Sequence, residues 1–289
     1  MTASTHHHPG VRTIQRTAFF PLFALLFVLS GPSGAADAGG HPRIMELMTA
    51  SGLAALTDQL APNLKFGMEQ AAADEANVPE ETRQAMLTAT DQIFGGERVR
   101  RQLATELAGK LTKAQVAELM VWYDSEVGRR ISAAESAAGS PDALEAMGAM
   151  AGTLMQDPTR VVLMQQIEAA AHVTDTSMEV MQKVQLALLV GTSSTLDPEG
   201  RLDLEDAAAL ITEQTEGYRE QVAQLSVLSL LYAYRDVPEA DLQAYKAFLE
   251  QPAAMRFHVA TNAALGDVLA KGIMELLERL SNRVQRQAA

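Results

Sequence analysis

The 289-residue chain has no cysteine. It therefore has no disulfide framework and no thiolate to ligate a metal or act as a nucleophile. Aromatic residues are scarce, at 5% with a single tryptophan. Basic residues are the minority charge, 23 against 36 acidic, for a net charge of −13. A surface of that sign repels phosphate backbones and anionic headgroups in general, so nucleic acid is not an expected partner. Long apolar runs are also missing. The one that stands out, Ala18 to Leu29, spans about 12 residues and contains Pro21, whereas a membrane-spanning helix needs roughly 20. No alternating strand pattern with hairpin turns occurs. Neither a GxSxG nucleophile elbow nor an HExxH zinc motif is present.

What is present begins with an export signal. Arg12 and Arg16 precede the apolar run, and small residues follow it through Gly40. This is the order of a cleavable secretory signal. Cleavage after Ala38, or after Ala35, removes residues 1–38 or slightly fewer, and with them His6, His7 and His8. The apolar run is not followed by a cysteine for lipid attachment. The expectation is a soluble mature protein in a bacterial periplasm or outside the cell, with no stable membrane insertion.

The rest is dominated by helix formers, Ala, Leu, Met, Glu and Gln. The pattern predicts an all-α, multi-helix bundle. Helices are expected at 42–59, from Pro62 to 76, from Pro79 to Gly95, and on to Gly109. Thr112 and Gln115 form a capping-box pattern. The helix they open carries Val116, Leu119, Met120, Tyr123, Val127 and Ile131 on one 3.6-residue stripe. Asp157-Pro158 opens a long helix to Val190, Asp203 caps one to Tyr234, and Pro238 starts another.

The Thr112 helix has a partner later in the chain. With Leu111 set over Val237, LTKAQVAELMVWYDSEVGRRI lies on VPEADLQAYKAFLEQPAAMRF without a gap. Trp122 meets Phe248, Arg130 meets Arg256, and Ile131 meets Phe257. This predicts two related helical halves, 39–157 and 158–289, the second a divergent copy. The first copy also resembles the bacterial family known as domain of unknown function 2059. The positions that carry the resemblance are Thr112, Trp122-Tyr123, Ser125 and Gly128-Arg129-Arg130. The second copy departs from it at Phe248-Leu249, Pro252 and Ala254. The resemblance covers residues 42 to 140 well and implies an exported, all-helical protein, without implying an activity.

Candidate chemistry is thin. Thr195 to Asp206 has an EF-hand rhythm around Gly200, but its end positions are Thr195 and Asp206 where calcium favours an acid and a bidentate glutamate. Methionine pairs at Met45/Met48, Met147/Met150 and Met178/Met181 suit Cu(I) or, equally, core packing. After cleavage only His41, His172 and His258 remain, and His172 with Asp175 has the spacing of an ion pair. The reading is a non-enzymatic binding module of the envelope that needs no cofactor. It would hold a protein or apolar ligand between its halves. The alternatives are a periplasmic hydrolase using carboxylates and a calcium or copper protein.

Overall fold

A computed structural model describes residues 41–74, 79–139, 143–196 and 204–288. The export signal thus lies outside the described residues, as does most of the calcium-like loop. Every regular element among the described residues is α-helical: α1 (Pro42–Ala50), α2 (Leu53–Asp74), α3 (Glu80–Phe94), α4 (Gly96–Lys110), α5 (Lys113–Tyr123), α6 (Glu126–Ala138), α7 (Ala143–Leu154), α8 (Pro158–Ala171), α9 (Val173–Leu196), α10 (Leu204–Glu216), α11 (Arg219–Ala233), α12 (Glu239–Leu249) and α13 (Pro252–Ala288). No described helix is long and apolar enough to cross a membrane.

Side-chain or dipole effects are visible at several helix starts. Thr112 and Gln115 form the reciprocal capping box, with the Gln115 amide donating to Thr112 Oγ1 at 3.2 Å and the Thr112 amide to Gln115 Oε1 at 2.9 Å. The Asp157 carboxylate accepts from the Arg160 amide at 3.1 Å, ahead of Pro158 at the first helical position. Glu80 and Glu81 occupy the first turn of α3, where the helix dipole favours them.

Four expected helices are broken, and two more have different bounds. The first stops at Ser51, and Gly52 at φ 76° makes the turn, a left-handed geometry open to glycine. Consequently α2 starts early and runs through Pro62. The stripe from Val116 to Ile131 belongs to two helices, because Asp124-Ser125 turns the chain between them. The long helix after Pro158 ends at His172, which adopts φ 53°. Histidine is among the few non-glycine residues enriched there. The stretch to Tyr234 divides at Gly217-Tyr218. The final helix extends past Arg283 to Ala288.

One hydrophobic core runs through the molecule, from Ile44 and Leu47 to Leu269 and Leu276. Its spine is α13, which packs along α9 and against α3 and α4. Gly272 permits this approach: a Cβ there would lie 2.3 Å from the Phe94 ring. Arg98 closes the same contact with Glu275 at 2.7 Å.

The pairs α5–α6 and α12–α13 adopt the same helix-turn-helix geometry. In the register that sets Leu111 over Val237, α5 and α12 begin and end at matching positions. The turn hydrogen bonds match too: Asp124 N to Met120 O and Ser125 N to Trp122 O, against Glu250 N to Lys246 O and Gln251 N to Phe248 O. The two hairpins pack on each other, with α5 against α13 and α12 against α6. At their junction Trp122 stacks on Phe248, centroids 4.4 Å apart and planes 6° from parallel. Tyr123 meets Phe248 and Phe257 edge-on at 5.7 and 6.2 Å.

Phe248 is 2% exposed, while Trp122 is only partly buried. Phe248→Ala should therefore cost about 3–5 kcal/mol, and Trp122→Ala less. A double-mutant cycle by urea unfolding should return a coupling of about 0.5–1.5 kcal/mol. Additive effects would show that the stack contributes nothing beyond burial.

Candidate functional site

Of the recesses lined by polar or charged side chains, two adjoin the α5–α6 hairpin. The first is a cavity of about 50 Å³ beside the aromatic junction. Glu135, from α6, lies on the stripe one turn beyond Ile131 and is 6% exposed. Its Oε1 accepts from the Tyr234 hydroxyl at 2.6 Å and the Tyr245 hydroxyl at 3.0 Å. Burial, and then the negative charge of Glu135, hold both phenols well above the ordinary tyrosine range, so they remain donors. His258 lines the same cavity, and its Nε2 is buried without a hydrogen-bond partner. Burial, with the neighbouring His172 second, lowers its pKa to about 4, so the ring is neutral at neutral pH. Asn262 Nδ2 donates to Thr176 Oγ1 at 3.0 Å on the cavity wall. The space holds roughly three or four waters, far below the roughly 300–1,000 Å³ of ligand pockets.

The second recess is a groove of about 440 Å³ where α1 meets the end of α4 and the start of α5. Ile44, Leu111 and Val116 form its floor and belong to the core. The capping box at Thr112 sets the direction of α5 here. Arg43 and Lys113 flank the floor; both are exposed, and among the described residues neither has an ion pair or side-chain hydrogen bond. The groove lining includes no acidic residue.

The family-motif residues serve the hairpin and its junction. Ser125 caps α6, accepting from the Gly128 amide at 2.9 Å. A Cβ on Gly128 would lie 2.1 Å from the Trp122 carbonyl oxygen, so the close turn requires glycine. Arg129 donates to the Asp124 carbonyl. Arg130 crosses to the other hairpin and grips Asp241 with two bonds, at 2.7 and 3.1 Å, which holds that carboxyl below its usual range. Arg256, its counterpart in the register, is exposed and has no ion pair among the described residues. Tyr123 is buried at the junction, against Phe248 and Phe257.

The alternatives find these positions. His172 and Asp175 approach to 3.8 Å on the surface, where Asp175 also pairs with Arg219 at 2.6 Å. Of the methionine pairs, Met48, Met147, Met178 and Met181 are buried, and Met150 is exposed. Among the described residues no group of three His, Asp or Glu could hold a metal. Sequence reasoning passed over Glu135 and Tyr234, and weighed His258 only as a metal ligand without a partner. The available signal was an acid at the next stripe position after Ile131, where an apolar residue is expected.

The buried imidazole yields a pH dependence. The unfolded ring, with a pKa near 6.5, takes up a proton before the folded one as pH falls. The folded state therefore loses stability between about pH 6.5 and 4, and nothing further from this group below that. The full loss is about 3 kcal/mol. His258→Leu should remove that slope when urea midpoints are compared from pH 7 to pH 4. Parallel curves for the two proteins would contradict the assignment.

No curated protein and no solved structure matches the chain. Residues 97–157, from the first turn of α4 to the Asp157 cap, match the family described as "Uncharacterized protein conserved in bacteria (DUF2059)", which the Trp122-Tyr123 hairpin resembles.

Proposed function

We propose that this is an exported, non-catalytic binding protein of the bacterial envelope. In this reading residues 1–38 are its cleaved signal, and the halves 39–157 and 158–289 each carry one copy of the aromatic hairpin. The matching helix bounds and turn bonds of α5–α6 and α12–α13 support the copy relationship. Stacked aromatics fill the junction between the hairpins, so the ligand is assigned to the groove of α1, α4 and α5. The observation that carries the binding reading is that groove: about 440 Å³ of open space over the core residues Ile44, Leu111 and Val116, within the size range of ligand pockets. It overlaps the family-matched segment at Ala108–Ala117.

A carboxylate hydrolase is the second reading. Glu135 and His258 line one cavity, and a carboxylate with a neutral imidazole is general acid–base equipment. A space of about 50 Å³ favours waters over a peptide or glycan segment.

The neutral fluorophore N-phenyl-1-naphthylamine tests the first reading. Its emission should rise on mixing with the purified protein, and Ala117→Phe, which fills the groove from an exposed position, should abolish the rise. No rise would sink the binding reading. Turnover of peptidoglycan or peptides that is lost in Glu135→Gln would establish the hydrolase instead. Amino-terminal sequencing of protein from a periplasmic extract should begin at residue 39 or 36; a product retaining residue 1 would rule out cleavage.

A further inference from the structure

We propose that the groove of α1, α4 and α5 takes an anionic amphiphile, a single alkyl chain with a carboxylate or phosphate head. This rests on the binding reading above and adds the ligand's charge and polarity. The apolar floor of Ile44, Leu111 and Val116 suits the chain. The head is set by the rim.

The charge argument is one of contrast. Acidic residues outnumber basic ones 36 to 23, yet His41, Arg43 and Lys113 line this recess and no acid does. The comparable groove between α3 and α13 is also lined by cations, Arg279 and Arg283, but both are neutralised, by Glu275 and Glu81. At the hairpin junction Arg130 is likewise matched, by Asp241 and Glu126. Arg43 and Lys113 keep their charge unmatched at the two sides of an apolar surface. An unpaired cation pair beside such a surface attracts an anion whose tail is apolar, and repels a cationic amphiphile. Arginine and lysine stems also cover alkyl chains while their heads stay wet.

Isothermal titration of the purified protein with decanoate, decyltrimethylammonium and decanol, each below micelle formation, reads the charge preference. Decanoate should bind at least about tenfold more tightly than the cation, and added salt should weaken it. The double variant Arg43→Glu/Lys113→Glu should reverse the order of the two ions and leave decanol unchanged. Ala117→Phe should abolish all three. Arg43, Lys113 and Ala117 are exposed, and a thermal melt confirms that each variant folds. Equal affinity for the three probes, or indifference to the double variant, overturns the anionic assignment and leaves the apolar binding reading standing. Failure of every probe overturns both. A concentration-dependent dimer that Ala117→Phe disperses would mark a second copy as the occupant, and overturns the amphiphile.

Discussion

The stack of Trp122 on Phe248 is the contact through which the two hairpins become one body. No disulfide is available, so cohesion between the hairpins must come from burial and from a few directed polar contacts. The aromatic supply is small, and it is concentrated here. The only tryptophan and three of the five tyrosines, Tyr123, Tyr234 and Tyr245, lie within one connected set of ring contacts with Phe248 and Phe257. Positions that share a register touch each other, Trp122 with Phe248, while α5 reaches α13 and α12 reaches α6. Such reciprocity is how identical surfaces meet at a two-fold axis. Here the two surfaces differ in sequence, and the differences are complementary. The bulk of tryptophan is set against phenylalanine, and Arg130 finds Asp241 where the other hairpin leaves Arg256 exposed.

A dry aromatic junction constrains the polar groups beside it. Glu135 continues the apolar stripe of α6 and is carried inside by it. A buried carboxylate is costly unless hydrogen bonds satisfy it. Tyr234, at the end of α11, and Tyr245, in α12, approach to do so, and desolvation keeps their protons on. The acid therefore ties α6 to α11 and α12, and it adds direction to a contact that stacking alone leaves free to slide. The cavity beside this carboxylate is lined from six helices, and among the described residues the His258 Nε2 in it has no hydrogen-bond partner.

Features with a local cause were legible in the sequence. The Thr112 box, the Asp157 cap and the acidic start of α3 each depend on side chains within one turn of the amide they serve. The helical class followed from composition, since few residues could support a strand. The missed breaks have a common physical origin. At Asp124-Ser125 and at Gly217-Tyr218 the chain turns within two residues, and Val127 and Ile131 still face the same core as Val116. A stripe that survives the turn conceals it. His172 is harder still, since a left-handed histidine has little local signature. Pro62 misled in the other direction, because Gly52 had already supplied the break and α2 accommodated the proline.

The groove was illegible for a different reason. Arg43 and Lys113 are far apart in sequence, and neither is remarkable in a helical surface rich in charge. What singles them out is the absence of an opposite charge among the described residues that line the groove, which only the packing of α1 on α4 and α5 defines. Net charge alone argues against anionic ligands for this chain, because the mean field repels them. That argument weakens with distance: at physiological salt the Debye length is about 8 Å, so charges beyond the groove are largely screened. Two unpaired cations within it set the local potential, and the remaining acidic surface then acts as a filter. In the proposed reading it disfavours extended anionic surfaces such as membranes and nucleic acid, while a single small amphiphile enters a recess that those surfaces do not reach.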